Sequence, residues 1–203
     1  MRVVSVEHLK EDIDQTSNAA GIILIQLGIQ SMEVSKTIGV FGGTFDPIHD
    51  GHIAAARSVL EALDLEKVLF VPAGDPYLKT VNSPVTPARD RYKMVTLALR
   101  HEGNPKFEAS DIEVFREGPS YTMDTVVELE GCFQEVVLIL GMDAVLSLPD
   151  WQDPEGLLEK CRVVAVTRPG FESSKVDLLP FQNIADKIEI VVADTPDLSA
   201  SLI

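Results

Sequence analysis

From residue 38 onward, short apolar runs alternate with segments of helical periodicity. The apolar runs predict buried strands at residues 38–41, 67–71, 135–140, 162–166 and 188–192, with a further extended stretch at 107–115. Helices are predicted at 53–63, at 87–100 with Thr86 as N-cap, at 122–129, and from Asp153-Pro154 through Leu157 and Leu158. This alternation indicates an α/β fold, a mainly parallel sheet with helices on both faces, because parallel neighbours need crossover connections.

One domain is expected at residues 37–203, since a chain of 203 residues supports one well-buried core and not two large ones. Residues 1–36 form an N-terminal extension that ends in a polar segment before the first strand. Both a poorly ordered leader and a docked helix or strand fit this extension. On a parallel sheet of this kind, ligands bind at the carboxyl ends of the strands.

Composition and charge exclude several classes of protein. A hydrophobic share of 45% with 24% charged residues excludes disorder as the main state. A formal net charge of −15 argues against nonspecific binding to nucleic acid, which needs a basic face. Anionic ligands are therefore expected to be bound by cations and backbone donors that are concentrated in one pocket.

Two features favour the cytoplasm. Cys132 and Cys161 lie in or beside apolar segments without CxxC spacing, as expected of buried thiols in a reducing compartment. The apolar run at 19–27 is interrupted by Gln26 and Gln30 short of the ~20 residues that span a bilayer, and acidic residues precede it. We expect neither a membrane anchor nor a signal peptide.

The segment between the first predicted strand and its helix, GGTFDPIHDGH at residues 42–52, carries the candidate chemistry. Gly42 and Gly43 are expected to let the backbone turn sharply and approach a ligand closely. A helix that begins near His52 or Ile53 would point unpaired N–H groups and the positive end of its dipole at the same space. Such a turn is suited to holding a phosphate chain.

His49 and His52 are three residues apart, so both imidazoles can face one cavity from the first helical turn. Each can donate a hydrogen bond to a phosphate oxygen. Nucleotidyl transfer requires chiefly positioning and charge stabilisation, because the attacking phosphate is already a nucleophile. The alternatives are a surface histidine beside a helix-capping one, and a zinc site, for which the sequence shows no matching cysteine or carboxylate cluster.

The motif GGTFDPIHDGH resembles the signature of the HxGH nucleotidyltransferase superfamily, and the wider match, from Ile38 to the chain end, looks like bacterial nicotinate-nucleotide adenylyltransferase. The resemblance implies a Rossmann-like, doubly wound fold in which His49 and His52 are the catalytic pair. It also implies ATP as substrate, with Mg²⁺ bound through its phosphates, and nicotinate mononucleotide as acceptor. The products would be nicotinate adenine dinucleotide and pyrophosphate. By the same resemblance, the phosphates contact Gly42, Gly43, Thr44 and Phe45.

Three further segments resemble the family's acceptor and ribose sites. The run PSYTMDT matches a SYTxDT segment whose Tyr-Thr pair, here Tyr121 and Thr122, lies at the pyridine carboxylate. A simple helix start capped by Thr122 is the alternative. Gly141 and Asp143, which we assign to the ATP side, follow the strongest strand, and the matching Asp accepts hydrogen bonds from ribose hydroxyls. The aromatic residue that matches Trp151 stacks on the nicotinate ring.

Four more assignments to the ATP side come from shorter matches. Arg168 belongs to an RPG segment close to the adenylate, and Lys79 occupies the position of a basic residue near the phosphates, although Tyr-Leu precedes it where many relatives carry Pro-His. Ser199 and Ser201 resemble the beginning of an ISSTxIR segment that stops here before its arginine. We therefore expect a truncated C-terminus and weaker stabilisation of ATP.

Other functions stay open on the sequence. Nicotinamide mononucleotide and a phosphopantetheine-like phosphate are alternative acceptors, although Tyr121, Thr122 and Trp151 favour a planar pyridine ring. A non-catalytic nucleotide-binding sensor is the alternative of another class; the missing arginine supports it and the intact His49 and His52 oppose it. The predicted partners are ATP and the mononucleotide, without nucleic acid or membrane.

Overall fold

The sheet has six strands within the residues that the structure, a computed structural model, describes: 37–76, 84–167, 179–180 and 187–193. The strands are β1 Thr37–Gly43, β2 Lys67–Pro72, β3 Phe107–Ala109, β4 Glu135–Gly141, β5 Arg162–Thr167 and β6 Ile188–Val192. All neighbouring pairs are parallel, and the order across the sheet is β3-β2-β1-β4-β5-β6. The predicted parallel sheet is confirmed, and its strand order is that of the Rossmann fold.

Helices cover both faces of the sheet, as predicted. They are α1 Asp50–Ala62, α2 Ala88–Glu102, α3 Thr122–Glu130, α4 Met142–Leu146 and α5 Pro154–Lys160, with a 3₁₀ turn at Leu148–Asp150. On one face, Val59 of α1 and Val95 of α2 join a buried cluster with Phe70. On the other, Leu129 of α3 joins a second cluster with Leu138 of β4. Burial on both faces explains why these strands are continuous apolar runs and not alternating ones.

The register of the central strands determines where a site can form. Gly42 of β1 lies beside Val71 of β2, and Phe41 lies beside Ile139 of β4. Since all three strands run in the same direction, the segments that follow them leave from one edge of the sheet. That edge therefore gathers residues that are far apart in sequence.

The extended stretch predicted at 107–115 is wrong beyond its first residues, because β3 ends at Ala109. Ser110 still donates its N–H to the carbonyl of Phe70, and then the chain turns. The N–H of Val114 donates to the carbonyl of Asp111, so local bonds replace the ladder of the sheet. Apolar residues continue to Phe115, but strand pairing stops at Ser110.

The predicted start of the second helix is also wrong in detail. α2 begins at Ala88 with Pro87 as its N-cap, so Thr86 is not the cap. The carbonyl of Thr86 instead accepts a hydrogen bond from Arg91. α4 and the 3₁₀ turn were not predicted, because segments of five and three residues are too short to show a helical period.

Both cysteines are free thiols, as predicted, with Cys161 buried and Cys132 half-buried. Burial, followed by the negative charge of Glu130, raises the pKa of the Cys161 thiol to about 12. In the described parts of the chain, no helix combines the length and the apolar character that crossing a bilayer requires. The predicted extension at 1–36 lies outside the described residues.

Replacing Leu129 by alanine is expected to lower the free energy of unfolding by about 2–5 kcal/mol, because its side chain is fully buried and the cavity left behind cannot collapse completely. Val127, on the same helix, is 50% exposed, and Val127→Ala should change stability by about 0.5 kcal/mol or less. Urea unfolding of both variants measures the difference. Equal destabilisation of the two would contradict the assigned burial of α3.

Candidate active site

A cavity of about 480 Å³ opens at the carboxyl ends of β1 and β4. Ligands on doubly wound sheets bind at this edge. Residues from four separate segments of the sequence, 41–52, 71–76, 113–122 and 138–151, line the cavity. The predicted site residues among them are Gly42, Gly43, Thr44, Phe45, His52, Thr122, Gly141, Asp143 and Trp151. The fold thus brings together side chains that the sequence assigned separately to the phosphate and the acceptor.

The turn after β1 differs from the predicted one. Gly42 and Gly43 belong to β1 itself, so the prediction that they form the turn is wrong. The turn follows them, and its left-handed residue is Phe45, with a φ of 49°. A Cβ at Gly42 would meet nothing within 4 Å, whereas a Cβ at Gly43 would lie 3.0 Å from the Phe45 ring. Gly42 therefore keeps the cavity open, and Gly43 makes room for a buried aromatic ring.

The two histidines of the motif are in contact with each other. α1 begins at Asp50, earlier than predicted, and His49 is its N-cap residue. The rings of His49 and His52 stack with centroids 3.8 Å apart and planes 30° apart. His52 lines the cavity, whereas His49 is not among the described lining residues. The His49 ring lies against that of His52 from the N-cap position, so the two rings are adjacent, and the role predicted for His49 at the cavity stays a prediction.

A backbone hydrogen bond selects the tautomer of His52. The N–H of His49 donates to Nδ1 of His52 at 3.2 Å. A ring nitrogen that accepts a hydrogen bond carries no proton, so neutral His52 has its proton on Nε2. His52 can thus act as a donor through Nε2.

Aromatic packing holds the His52 ring in place. It meets the Phe45 ring edge to face with centroids 5.0 Å apart, and its centroid lies 6.0 Å from that of Phe41. Phe70 packs against Phe41 at 5.6 Å and against Phe45 at 6.0 Å. Burying the Phe45 ring contributes about 1.5–3 kcal/mol. That is the same order as the ~1–3 kcal/mol cost of its left-handed backbone, so the packing that orients His52 also stabilises the turn.

The start of α3 forms a second wall of the cavity. Thr122 is the first residue of α3 and lines the cavity, while Tyr121 is the N-cap and is not among the described lining residues. The alternative in which Thr122 caps the helix is therefore wrong. Ser120 lines the cavity as well, and its Oγ accepts hydrogen bonds from the N–H groups of Gly74, at 2.9 Å, and Asp75, at 3.1 Å. The segment before α3 is thus tied to the loop after β2.

The chain after β4 forms the third wall. Gly141 ends β4, and Asp143 lies in the first turn of α4. Trp151 follows the 3₁₀ turn, and its Nε1 donates to Oγ of Ser147 at 3.2 Å. Ser147, which the sequence did not indicate, donates in turn to the carbonyl of Ala144 at 2.9 Å. The indole is therefore tethered at the cavity and packs partly against the core.

Arg91, a buried cation that the sequence analysis missed, lies next to the cavity with 1% of its surface exposed. Its guanidinium donates to four backbone carbonyls, those of Thr44 at 2.6 Å, Ala73 at 2.5 Å, Gly74 at 3.2 Å and Thr86 at 2.7 Å. Burial lowers the pKa of Arg91, and the charges of Asp46 and Glu113 raise it. Its burial could have been predicted from its position on the apolar face of α2, four residues before the buried Val95.

Glu113 is a buried carboxyl group in the wall of the cavity, 7% exposed, and was not predicted either. It accepts a hydrogen bond from the Thr125 hydroxyl at 2.6 Å, and that hydroxyl accepts one from Nη1 of Arg116 at 2.9 Å. Burial raises the pKa of Glu113, and the Thr125 hydrogen bond and the Arg116 charge oppose the rise. Glu113 lies in the stretch 107–115, which the sequence predicted to be extended, and a glutamate there gave no sign that it would be buried at a cavity.

The remaining predicted site residues lie outside the described part of the chain: Lys79, Arg168, Ser199 and Ser201. Their roles stay predictions. Among the described residues, no group of three or more His, Cys, Asp or Glu side chains is placed to hold a metal ion.

Relatives of known name match most of the chain. The sequence profile of the cytidylyltransferase-like family matches residues 40–203. A Corynebacterium kroppenstedtii protein named "probable nicotinate-nucleotide adenylyltransferase" is 42% identical over 155 residues, which cover 75% of this chain and 72% of that protein. A protein of the same name from Dehalococcoides mccartyi is 38% identical over 175 residues, which cover 84% of each chain.

Solved structures share the fold. Plasmodium falciparum nicotinic acid mononucleotide adenylyltransferase complexed with NaAD has a TM-score of 0.58 at 20% identity, over 83% of this chain and 80% of that one. The same enzyme complexed with APC has a TM-score of 0.57 at 19% identity, over 83% and 79%. Given the family profile and the relatives that match most of its length, this chain belongs to the cytidylyltransferase-like family and, within it, to the nicotinate-nucleotide adenylyltransferases.

Proposed function

We propose that this protein transfers the adenylyl group of ATP to nicotinate mononucleotide, giving nicotinate adenine dinucleotide and pyrophosphate. The observation that carries the proposal is that the histidine motif after β1, the start of α3 and the segment after β4 line one cavity. Relatives that are 38% to 45% identical bear the name of this activity. With the triphosphate of ATP at the histidine motif and the pyridine ring between the start of α3 and the segment after β4, the two reactants would be in contact.

The transfer forms one bond and breaks one. An oxygen of the acceptor's phosphate attacks the α-phosphorus of ATP, and the bond from that phosphorus to the oxygen that bridges to the β-phosphate breaks. Pyrophosphate leaves with the bonding electron pair. Because the attacking phosphate is already anionic, no proton has to be removed from it, and the protein acts by orienting the reactants and stabilising charge.

His52 is the residue to which we assign stabilisation of the charge on the α-phosphate and the leaving pyrophosphate. Its donor is Nε2–H, since Nδ1 accepts the N–H of His49. The stack on His49 and the edge contact with Phe45 keep the ring from rotating. A donor that is already oriented needs no reorganisation when the reaction occurs. His49 would therefore support catalysis chiefly through His52.

ATP is proposed to enter as its Mg²⁺ complex, with the ion held by phosphate oxygens and water, as Mg²⁺ usually is beside nucleotides. The backbone at residues 42–45 and the first turn of α1 would meet the phosphates. The cations and hydroxyls of Lys79, Arg168, Ser199 and Ser201 are proposed to add contacts on the same side.

Acceptor binding is proposed to depend on the start of α3 and on the segment after β4. The N–H groups in the first turn of α3 and the Thr122 hydroxyl can donate to the pyridine carboxylate, and Tyr121 lies beside them as the cap. A helix N-terminus favours an anion, which supports the acid over the amide. Trp151, tethered through Ser147, offers a ring for stacking, and Asp143 offers a carboxylate to ribose hydroxyls.

Replacing His52 by alanine is expected to lower kcat by ~10²-fold or more, because a lost transition-state donor costs that much. Pyrophosphate release at saturating ATP, Mg²⁺ and nicotinate mononucleotide measures kcat. His101, exposed in the last turn of α2, provides the matched control, and His101→Ala should leave kcat unchanged. A decrease below about threefold for the His52 variant would remove this residue from its proposed role.

The hydrogen bond from His49 predicts the tautomer of His52 directly. At a pH where the ring is neutral, ¹⁵N NMR is expected to show a protonated Nε2 and an unprotonated Nδ1 for His52, because Nδ1 accepts the backbone N–H. The exposed His101 serves as the reference for an unconstrained ring. A proton on Nδ1 of His52 would contradict the proposed donor.

Replacing Thr122 by valine is expected to raise KM for nicotinate mononucleotide about tenfold, because a hydrogen bond to a charged carboxylate is lost. The KM for ATP, measured in the same assay, should stay nearly constant and serves as the internal control. The wild-type protein should also prefer nicotinate over nicotinamide mononucleotide. Equal use of the amide would show that the carboxylate is not what this site recognises.

A further inference from the structure

We propose that Arg91 is a positioning residue that holds the phosphate side and the acceptor side of the cavity in fixed relation through their backbones. The inference rests on the proposed function. Within the described residues, the hydrogen bonds of this side chain all go to backbone carbonyls. Arg91 would therefore act through the protein and not on the reactants.

On the phosphate side, Arg91 controls a peptide of the turn after β1. Its Nη1 donates to the carbonyl of Thr44 at 2.6 Å. In a trans peptide the carbonyl and the following N–H point in opposite directions. Holding the Thr44 carbonyl toward Arg91 therefore turns the N–H of Phe45 away from it, in a turn whose residues Thr44 and Phe45 both line the cavity. The orientation of this backbone donor depends on the guanidinium.

On the acceptor side, Arg91 and Ser120 hold the same two peptides from opposite ends. Nη2 of Arg91 donates to the carbonyls of Ala73 and Gly74, at 2.5 Å and 3.2 Å. The N–H groups of these two peptides belong to Gly74 and Asp75, and both donate to Oγ of Ser120. The loop after β2 is therefore clamped between the two side chains.

The clamp leaves little room for movement. A Cβ on Gly74 would lie 2.1 Å from the carbonyl oxygen of Glu113 and 3.1 Å from Oγ of Ser120. Ser120 also donates its N–H to the carbonyl of Asp75 at 3.0 Å. A displacement of this loop would therefore pass to Ser120 and, two residues later, to Thr122 at the start of α3.

A third contact links the turn after β1 to the segment before α2. Nε of Arg91 donates to the carbonyl of Thr86 at 2.7 Å, and the N–H of Thr86 donates to Oδ2 of Asp46 at 2.8 Å. Asp46 is itself part of the cavity wall. The planar fork of arginine meets acceptors from three segments at once, which a lysine ammonium cannot do in the same geometry.

Arg91→Lys tests the proposal, since it retains the charge and loses the fork. We expect kcat for pyrophosphate release to fall about tenfold or more at saturating substrates, with smaller changes in both KM values, because misplacing reactants slows the reaction without removing a binding group. Arg89, exposed on the same helix with its guanidinium over the Phe115 ring, is the matched control. Arg89→Lys should keep kcat within about twofold.

Thermal unfolding of Arg91→Lys distinguishes positioning from a structural role. We expect the variant to be fully folded at the assay temperature and its kcat per folded molecule to be lower than that of the wild-type protein. A lower melting temperature with wild-type kcat per folded molecule would overturn the proposal.

Ser120→Ala keeps the inference testable if Arg91→Lys does not fold. If Arg91→Lys does fold, the double variant should lose less kcat than the product of the two single losses, because both side chains hold the same peptides. Independently of turnover, the backbone amide NMR signal of Phe45, on the far side of Arg91, should shift in Ser120→Ala. An unmoved Phe45 signal would overturn the proposal. So would a double variant whose loss of kcat equals the product of the two single losses.

The wild-type assay separates this inference from the proposed function. Failure of the wild-type protein to use nicotinate mononucleotide would count against the function alone, and the Phe45 signal in Ser120→Ala would still decide the role of Arg91. Wild-type turnover together with normal kinetics of Arg91→Lys would count against the inference alone.

Discussion

The parallel pairing of β1 with β2 on one side and with β4 on the other is the constraint on which the site depends. Because the three strands run in the same direction, the chain leaves all of them at one edge, where the direction of the strand order reverses and a crevice opens. The crossover from β1 to β2 also requires a helix, and that helix begins beside the crevice. The glycine-rich strand end, His52 and the start of α3 meet there for this reason.

The buried cation at this edge of the sheet is surrounded by carbonyl and carboxylate partners. The chain carries a formal net charge of −15, yet a fully buried Arg91 lies behind the cavity. An isolated buried guanidinium would be costly. Its carbonyl partners satisfy its donors, and the nearby Asp46 and Glu113 offset the cost of removing its charge from water. The guanidinium is in this way fixed behind the cavity, where it orders the backbone of the walls.

Much of the fold followed from the sequence because it depends on local periodicity. Apolar runs between turn residues are buried strands in any α/β sheet, and their spacing requires crossover helices. Part of the cavity lining could be predicted for a related reason: residues such as Gly42, His52, Thr122 and Asp143 lie at the ends of strands or in the first turns of helices, and those positions share one edge of a parallel sheet. The glycine and histidine residues of the motif at 42–52 then indicated phosphate binding and nucleotidyl transfer.

The sequence by itself determined the longer elements, their order and the motif residues at the ligand edge, because these depend on the spacing of neighbours along the chain. Only the tertiary structure decided what lies opposite each side chain. It turned the chain at Phe45 and not at the glycines, stacked His49 on His52, and ended β3 before its apolar pattern did. It also buried Glu113 and placed the carbonyl partners of Arg91 around its guanidinium, since contacts between segments distant in sequence leave no periodic signal in either segment.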